Sequence, residues 1–250
     1  MTWGFYTPTH IISLFVGALI IVGLYFALKK RSDRVKIAVL FVLSFSGTAA
    51  VIYNLVTWGS PLEYLPLHLC SISAAVLPFA VITRNKVLNN LLLLWSFGAL
   101  FALLVNTAVA EASIFSPVFA FFYFPHVLEF GIPILMFKFG LAKKDIRCIG
   151  STLIITVLTY TGIHFVNLFI NSYAVKHNIV DSSSNVIKVN YMYSITPENP
   201  MLALFYKIIP YQYWYMYLSF VIVLLYLSAV YSPEIIGIIK NRSRKGKENI

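Results

Sequence analysis

The stretch 10-HIISLFVGALIIVGLYFALKKRSDRVK-36 contains the two features on which the fold depends. Residues 10–28 carry no Lys, Arg, Asp or Glu and are long enough to cross a bilayer as an α-helix, which needs about 20 residues. The basic cluster that follows is typical of a loop on the cytoplasmic side of a membrane. The stretch therefore predicts a membrane-spanning helix followed by a cytoplasmic loop.

The same alternation of apolar runs and short polar loops continues along all 250 residues. The chain is 59% hydrophobic and only 11% charged, which is more apolar than a soluble core requires. We expect one all-α domain over residues 1–250, a polytopic membrane helix bundle in the cell membrane. About seven transmembrane helices are predicted, at 10–28, 35–57, 66–83, 88–108, 118–138, 148–172 and 213–235.

The basic residues predict how this bundle is oriented. Sixteen of the 19 Lys and Arg residues lie in segments that the predicted topology puts on one side, namely 28–36, 83–86, 138–147 and 240–250. By the positive-inside rule, the N-terminus is outside and the C-terminus is cytoplasmic. The net charge of +10 thus indicates topology and attraction to anionic headgroups, and no nucleic-acid partner is expected. The sequence gives no indication of oligomeric state.

Residues 173–212 form a long outer segment with a polar first half and an aromatic, proline-containing second half. Tyrosine and tryptophan favour the headgroup level of a membrane. Long loops in compact proteins are often functional lids. We therefore expect this segment, called the cap below, to lie over the outer end of the bundle.

Polar side chains in the predicted helices concentrate in their outer halves. Because polar groups are costly in lipid, a shared depth indicates a polar cavity that opens towards the outer leaflet. Bonds between pairs of helices are the simpler alternative for each residue alone. The residues concerned are Asn54, His68, Cys70, Asn106, Glu111, His126, Glu129, His164 and Asn167.

Helical spacing groups some of these residues. His126 and Glu129 are three positions apart, so the carboxylate can orient the imidazole or raise its basicity. A second polar stripe is either a hydrogen-bonded seam or a wall that faces substrate; it comprises Tyr160, His164, Asn167 and Asn171. Neither a His-x-x-x-His pair nor an HExxH motif is present, so no metal site and no other cofactor are expected.

A thiol and an imidazole are close in sequence in 65-LPLHLCSISA-74. Pro66 suits the first position of a helix. In a helix that begins there, His68 and Cys70 point about 200° apart and cannot touch. Cys70 would still lie near the helix N-terminus, where the dipole favours a thiolate, and would need a base from another segment, His126 or His164. Inert packing is the alternative role for Cys70.

Three motifs carry a resemblance to a known family: PLHLCSISA at 66–74, FPHVLEFG at 124–131, and NYMY at 190–193 before the last helix. They resemble the YwaF family of bacterial integral membrane proteins, and the resemblance extends from the second predicted helix to the last. That family is grouped with the eukaryotic transmembrane protein 164, a phospholipid acyltransferase with a cysteine nucleophile. The resemblance implies that Cys70 is the nucleophile and that a membrane histidine is its base, without indicating which histidine.

We therefore predict a membrane-embedded, thiol-dependent acyltransferase or lipid acyl hydrolase that acts through an acyl-cysteine intermediate. Its partners would be a phospholipid of the outer leaflet and a lysophospholipid or another acceptor. The candidate catalytic residues are Cys70, His126, His164 and Glu129. The candidate substrate-binding residues are His68, Asn54, Asn106, Asn167, Tyr160, Asn190 and Tyr191.

Two other classes of membrane protein have the same helix count. A transporter or solute-binding protein would use the polar groups to hold a small molecule, although polar residues do not continue to the cytoplasmic side and no inverted repeat is visible. A retinal-type receptor needs a lysine for its Schiff base, and residues 213–235 contain none.

Overall fold

The computed structural model describes residues 1–58, 60–105, 109–181 and 184–239. Asn106 and the basic segment 240–250 lie outside these residues. Short 3₁₀ turns occupy Pro61–Glu63, Tyr191–Tyr193 and Trp214–Leu218. The α-helices of the described chain are α1 Pro8–Leu28, α2 Asp33–Thr57, α3 Leu69–Thr83, α4 Lys86–Val105, α5 Pro117–Lys138, α6 Cys148–His177, α7 Pro200–Ile208 and α8 Ser219–Val230.

Five helices within the described residues, α1, α2, α4, α5 and α6, are long and apolar enough to cross a membrane. The segments Trp214–Val230 and Ser232–Ile239 meet at 65° and can form one further, broken span. The third predicted helix corresponds to α3, which is apolar but has only 15 residues. The prediction of an all-α, multi-pass bundle is confirmed, with a short third helix and a bent last one.

Three of the helices begin with the same local signature, a polar N-cap followed by proline. The N-cap side chain accepts a hydrogen bond from a backbone N–H of the first turn, and proline has no N–H to leave unpaired. The pairs are Thr7–Pro8 in α1, Ser116–Pro117 in α5 and Asn199–Pro200 in α7.

The predicted start of α3 at residue 66 is wrong. His68 is the N-cap, with an extended backbone (φ −72°, ψ 153°), and Leu69 is the first helical residue. Contacts with the cap hold this segment outside the helix: the Leu65 N–H donates to the Tyr191 hydroxyl at 3.3 Å, and the Met192 N–H donates to His68 Nδ1 at 3.3 Å. The local preference of proline for a first helical turn is overridden by these distant partners.

Helix α5 is the centre of the bundle and packs against α1, α2, α3 and α4, while α6 packs against α4. A buried apolar core fills one end of the bundle, with Leu40, Leu77, Leu91, Ile132 and Met136 among its members. Burial of this apolar surface fixes the helices relative to one another. The same helices carry the candidate site at the other end of the bundle.

The predicted cytoplasmic loops meet at the end of the bundle that holds this core. The buried Asn90 side chain donates to the Lys143 carbonyl at 3.1 Å and accepts from the Asp145 N–H at 3.1 Å and from the Tyr231 hydroxyl. It therefore joins the start of α4, the loop after α5 and the bend after α8. This arrangement agrees with the placement of the basic segments 83–86 and 138–147 on one side.

Candidate active site

A cavity of about 680 Å³ lies between α2, α3, α4, α5, α6, α8 and the cap. Its size falls in the range of about 300–1,000 Å³ that is common for small-molecule sites. Most of its wall is apolar or aromatic, with residues such as Phe121 and Trp95. Its polar lining includes Asn54, His68, Cys70, Ser71, His126, Glu129, Thr156, Tyr160 and Tyr193.

Cys70 is the second residue of α3 and has a free, half-buried thiol. The first intrahelical bond of α3 is donated by the Ile72 N–H to the His68 carbonyl at 3.0 Å. The N–H groups of Leu69, Cys70 and Ser71 precede this donor, so they have no intrahelical acceptor and create a positive potential at the helix N-terminus. The Ser71 hydroxyl and N–H lie beside the Cys70 sulfur. These groups favour negative charge on the sulfur and on atoms bound to it, whereas burial of the thiol opposes that charge.

His126 is buried on α5, and its Nδ1 lies 2.6 Å from the Phe122 carbonyl oxygen. Because a carbonyl oxygen only accepts hydrogen bonds, Nδ1 must carry the proton. In the neutral ring, Nε2 is then unprotonated and can accept a proton. A backbone carbonyl of its own helix thus orients the imidazole. The sequence had predicted that Glu129 could do so.

Glu129 is buried one turn further along α5. A Cβ added at Gly47 of α2 would lie 2.7 Å from Glu129 Oε1 and 2.5 Å from the Ala74 Cβ of α3. The carboxyl group therefore sits in a tight contact of α2, α3 and α5. Both His126 and Cys70 are close enough to interact with it electrostatically. Glu129 Oε2 has no hydrogen-bond partner among the described residues.

His68 lines the same cavity but has a different hydrogen-bond arrangement. Its Nδ1 accepts the Met192 N–H, so the neutral ring carries its proton on Nε2. The ring centroid lies 5.4 Å from those of Tyr191 and Tyr193. Burial lowers the pKa of His68 to about 4, so the ring is neutral at physiological pH. His68 therefore presents an N–H donor, not a basic nitrogen, to the cavity.

The polar stripe on α6 contacts the cap and the turn after it. His164 Nδ1 lies 3.0 Å from Ser194 Oγ. The Asn167 amide donates to the Tyr191 carbonyl at 2.8 Å and to Ser194 Oγ at 2.9 Å, and it accepts the Tyr191 N–H at 3.0 Å. Tyr160, His164 and Asn167 were all predicted to be site residues. Of these three, Tyr160 lines the cavity, and His164 and Asn167 do not. His164 and Asn167 thus lie apart from Cys70, at the joint between α6 and the cap.

Asn190 and Tyr191 are also used within the cap. The Asn190 amide donates to the Thr196 carbonyl at 2.8 Å, and the Tyr191 hydroxyl donates to the Leu62 carbonyl. Neither residue lines the cavity, whereas Asn54 does. Asn106 lies outside the described residues.

Three further residues line the cavity although they were not predicted as site residues, namely Ser71, Thr156 and Tyr193. Tyr193 belongs to the cap, and its ring contacts His68 from a position 125 residues away in the chain. The only signal in the sequence was the density of tyrosines in 190-NYMY-193, which membrane-interface anchoring explains equally well.

Apolar helices of membrane-spanning length, together with a cavity that has a thiol, an imidazole and a carboxyl on its wall, define a multi-pass membrane protein with a candidate site within its helix bundle. In the described part of the chain, no group of three or more His, Cys, Asp and Glu side chains is arranged to hold a metal ion.

The TMEM164 family model matches residues 5–230, and the chain belongs to the TMEM164 family. This confirms the predicted relation to transmembrane protein 164. Neither a curated protein nor a solved structure matches the chain.

Proposed function

We propose that this protein is a thiol-dependent acyltransferase of the cell membrane that acts on phospholipids through an acyl-cysteine intermediate. The observation that carries the proposal is that Cys70, His126 and Glu129 line one largely apolar cavity. A nucleophile, a base and a group that stabilises the protonated base are the components of acyl transfer by a triad.

In the first half-reaction, His126 Nε2 accepts the proton of the Cys70 thiol. The sulfur attacks the ester carbonyl carbon of a phospholipid, a C–S bond forms, and the carbonyl π electrons move to oxygen. Collapse of this intermediate re-forms the C=O bond and breaks the C–O bond to the glycerol, whose oxygen takes the proton from His126. Cys70 then carries the acyl group as a thioester, and a lysophospholipid leaves.

In the second half-reaction, His126 accepts a proton from the hydroxyl of an acceptor lipid, and the acceptor oxygen attacks the thioester. The C–S bond breaks and the sulfur regains its proton from His126. Glu129 stabilises the imidazolium that exists between these steps. Water as acceptor would give hydrolysis in place of transfer.

The shape of the cavity suits this chemistry. Its apolar wall accommodates an acyl chain, since burying hydrocarbon away from water is favourable. The cap covers the site where the thioester would form, and a covered site protects a reactive ester from water. An extensive apolar wall matches a lipid better than a small polar solute, so transport of such a solute is the less favoured function.

Intact-mass spectrometry of the purified full-length protein, incubated with phospholipid, tests the proposal. We expect an adduct with the mass of an acyl chain, which hydroxylamine should remove. The Cys70→Ser variant should form no thioester adduct. Cys148→Ser is the matched control, because this second cysteine is buried at the opposite end of α6 from the cap and should leave the adduct unchanged. A wild-type protein that co-purifies with a small solute and forms no adduct would contradict the proposal.

A further inference from the structure

Tyr193 lies in an unusual backbone conformation directly above the cavity. Met192 and Tyr193 both have positive φ, 53° and 55°, although neither is glycine. Such left-handed conformations are unfavourable for residues with a Cβ and persist where surrounding contacts impose them. Both residues line the cavity that contains Cys70.

Several hydrogen bonds hold this strained turn in place. The Met192 N–H donates to His68, the Tyr193 N–H donates to the Asn190 carbonyl at 3.0 Å, and the Tyr215 hydroxyl donates to the Tyr193 carbonyl. The Asn167 amide fixes Tyr191 at the beginning of the turn. The backbone polar groups of Tyr193 are therefore fully used, and its ring is held in a defined position.

The Tyr193 hydroxyl, in contrast, makes no hydrogen bond to any residue in the described ranges. The ring packs against His68, and the phenol is close enough to Cys70 for the thiol to affect it electrostatically. Burial raises the pKa of Tyr193, and negative charge on Cys70 raises it further, so the phenol keeps its proton at physiological pH. A protonated hydroxyl with no acceptor among these residues is available to a ligand.

We propose that the Tyr193 hydroxyl donates a hydrogen bond to the oxyanion that forms when Cys70 attacks an acyl carbonyl. The second donor would come from the N–H groups at the start of α3 that have no intrahelical acceptor, since Leu69, Cys70 and Ser71 line the same cavity. This inference rests on the proposed acyl-cysteine step. The cap would then do more than cover the site, because it would also contribute a catalytic residue.

The chemistry requires such a donor at one defined moment. When the sulfur lone pair forms the C–S bond, the carbonyl π electrons move to oxygen, which becomes negatively charged. A hydrogen bond from Tyr193 stabilises that charge without transfer of the phenolic proton, and the charge returns to the C=O bond when the leaving oxygen departs. Donors placed in advance at such an oxygen are among the largest contributions to acyl-transfer catalysis.

Two reactions of the same thiol separate this role from a structural one. Acylation of Cys70 by the p-nitrophenyl ester of palmitic acid passes through an oxyanion, whereas alkylation by iodoacetamide displaces iodide and forms none. Both are measured on the full-length protein by mass spectrometry of the Cys70 peptide. In Tyr193→Phe we expect acylation to slow about 100-fold while alkylation changes by less than about twofold.

Tyr206→Phe is the matched control. Tyr206 is a tyrosine of α7 in the same cap that contacts Tyr215 but does not line the cavity. We expect this variant to leave both rates unchanged. Equal rates of acylation in Tyr193→Phe and the wild type would overturn the inference, and so would a parallel loss of acylation and alkylation.

If Tyr193→Phe does not fold, replacement of Tyr193 by 3,5-difluorotyrosine keeps the size of the ring and makes the hydroxyl a stronger donor. The ratio of acylation to alkylation should then rise, and an unchanged ratio would refute the role. Because the activated ester does not require a phospholipid site, absence of any adduct with phospholipid would count against the proposed function alone. The ratio would still decide the role of Tyr193.

Discussion

At the scale of single residues, the two histidines of the cavity differ in which nitrogen carries the proton. The Phe122 carbonyl fixes the proton of His126 on Nδ1, and the Met192 N–H fixes the lone pair of His68 on Nδ1. A general base needs an unprotonated nitrogen directed at the reacting group. The hydrogen bonds therefore favour His126 as the base and His68 as a donor or a wall residue.

We expect His126→Gln to slow acylation of Cys70 by roughly 10²–10⁴-fold, the usual contribution of a general base. His68→Gln should slow it by less than tenfold, because glutamine retains an N–H donor. The rate of thioester formation, measured by mass spectrometry across pH 5–8, checks both. The dependence on pH should be unchanged in His68→Gln, since His68 with a pKa of about 4 does not titrate in this range.

His177→Gln is the control for this pair, because His177 is exposed in the last turn of α6. It should behave as the wild type. A larger loss in His68→Gln than in His126→Gln would contradict the assignment of the base.

At the scale of elements, the site depends on how closely α2, α3 and α5 approach one another. Gly47 of α2 leaves room for the Glu129 carboxyl and for Ala74 of α3. Ala74 is one turn after Cys70, so this contact also sets the position of the first turn of α3 relative to α5. The relative positions of Cys70 and Glu129 thus depend on helix packing as much as on the two side chains.

Gly47→Ala should reduce both stability and acylation. The new methyl group would lie within 3 Å of Glu129 Oε1 and the Ala74 Cβ, and overpacking of this kind costs about 1–3 kcal/mol. Thermal unfolding in detergent and the acylation rate measure the two effects. Gly162→Ala in α6 is the control, because nothing lies within 4 Å of the added Cβ; it should be neutral or slightly stabilising. A Gly47→Ala protein as active and stable as Gly162→Ala would disprove the close packing.

The cap is a second element whose position depends on a few polar contacts. Asn167 alone makes three hydrogen bonds to Tyr191 and Ser194 and is fully buried. Loss of these bonds would leave buried backbone groups of the cap unpaired, which is costly.

We therefore expect Asn167→Ala to loosen the cap without unfolding the bundle. Hydrogen exchange of the backbone amides at 187–195 should become at least about tenfold faster, which corresponds to about 1.4 kcal/mol of local stability. The acylation rate should fall with it, because Tyr193 would no longer be held. Asn185→Ala removes an exposed side chain of the same segment and should change neither. Unchanged protection in Asn167→Ala would show that the cap is held by its apolar contacts instead.

At the scale of the whole molecule, the bundle has two chemically different ends. One end holds the apolar core and the basic loops joined by Asn90, and the other holds the cavity and the cap. The positive-inside rule places the basic end in the cytoplasm. We therefore expect the candidate site to face the outer leaflet, from which the proposed lipid substrate would enter.

This orientation predicts the accessibility of cysteines introduced at either end. In a Cys70→Ala, Cys148→Ala background, Asn185→Cys should react with a membrane-impermeant maleimide on intact cells. Lys143→Cys should react only after the cells are permeabilised. Both positions are exposed in the structure, so a difference between them reports the side of the membrane. The reverse pattern of labelling would invert the topology and place the site at the inner leaflet.

The membrane class, the positions of the five long apolar helices and the polar character of one end of the bundle were predictable from the sequence. These properties follow from the thickness of the bilayer and from the cost of polar groups in lipid. Both depend only on the type of each residue and on its position along the chain. Cys70 near the start of a helix and His126 on the wall of a shared cavity were predictable for the same reason.

Which residues meet at the site depends on packing between segments that are distant in the chain. The cap delays the start of α3 to Leu69, orients His68 through Met192 and brings Tyr193 to the cavity, all by contacts between segments about 125 residues apart. His164 and Asn167 share the depth of Cys70 in the sequence pattern, yet they face the cap. Hydropathy records the depth of a residue in the membrane but not its direction around the helix axis, and direction is set by packing between elements distant in the chain.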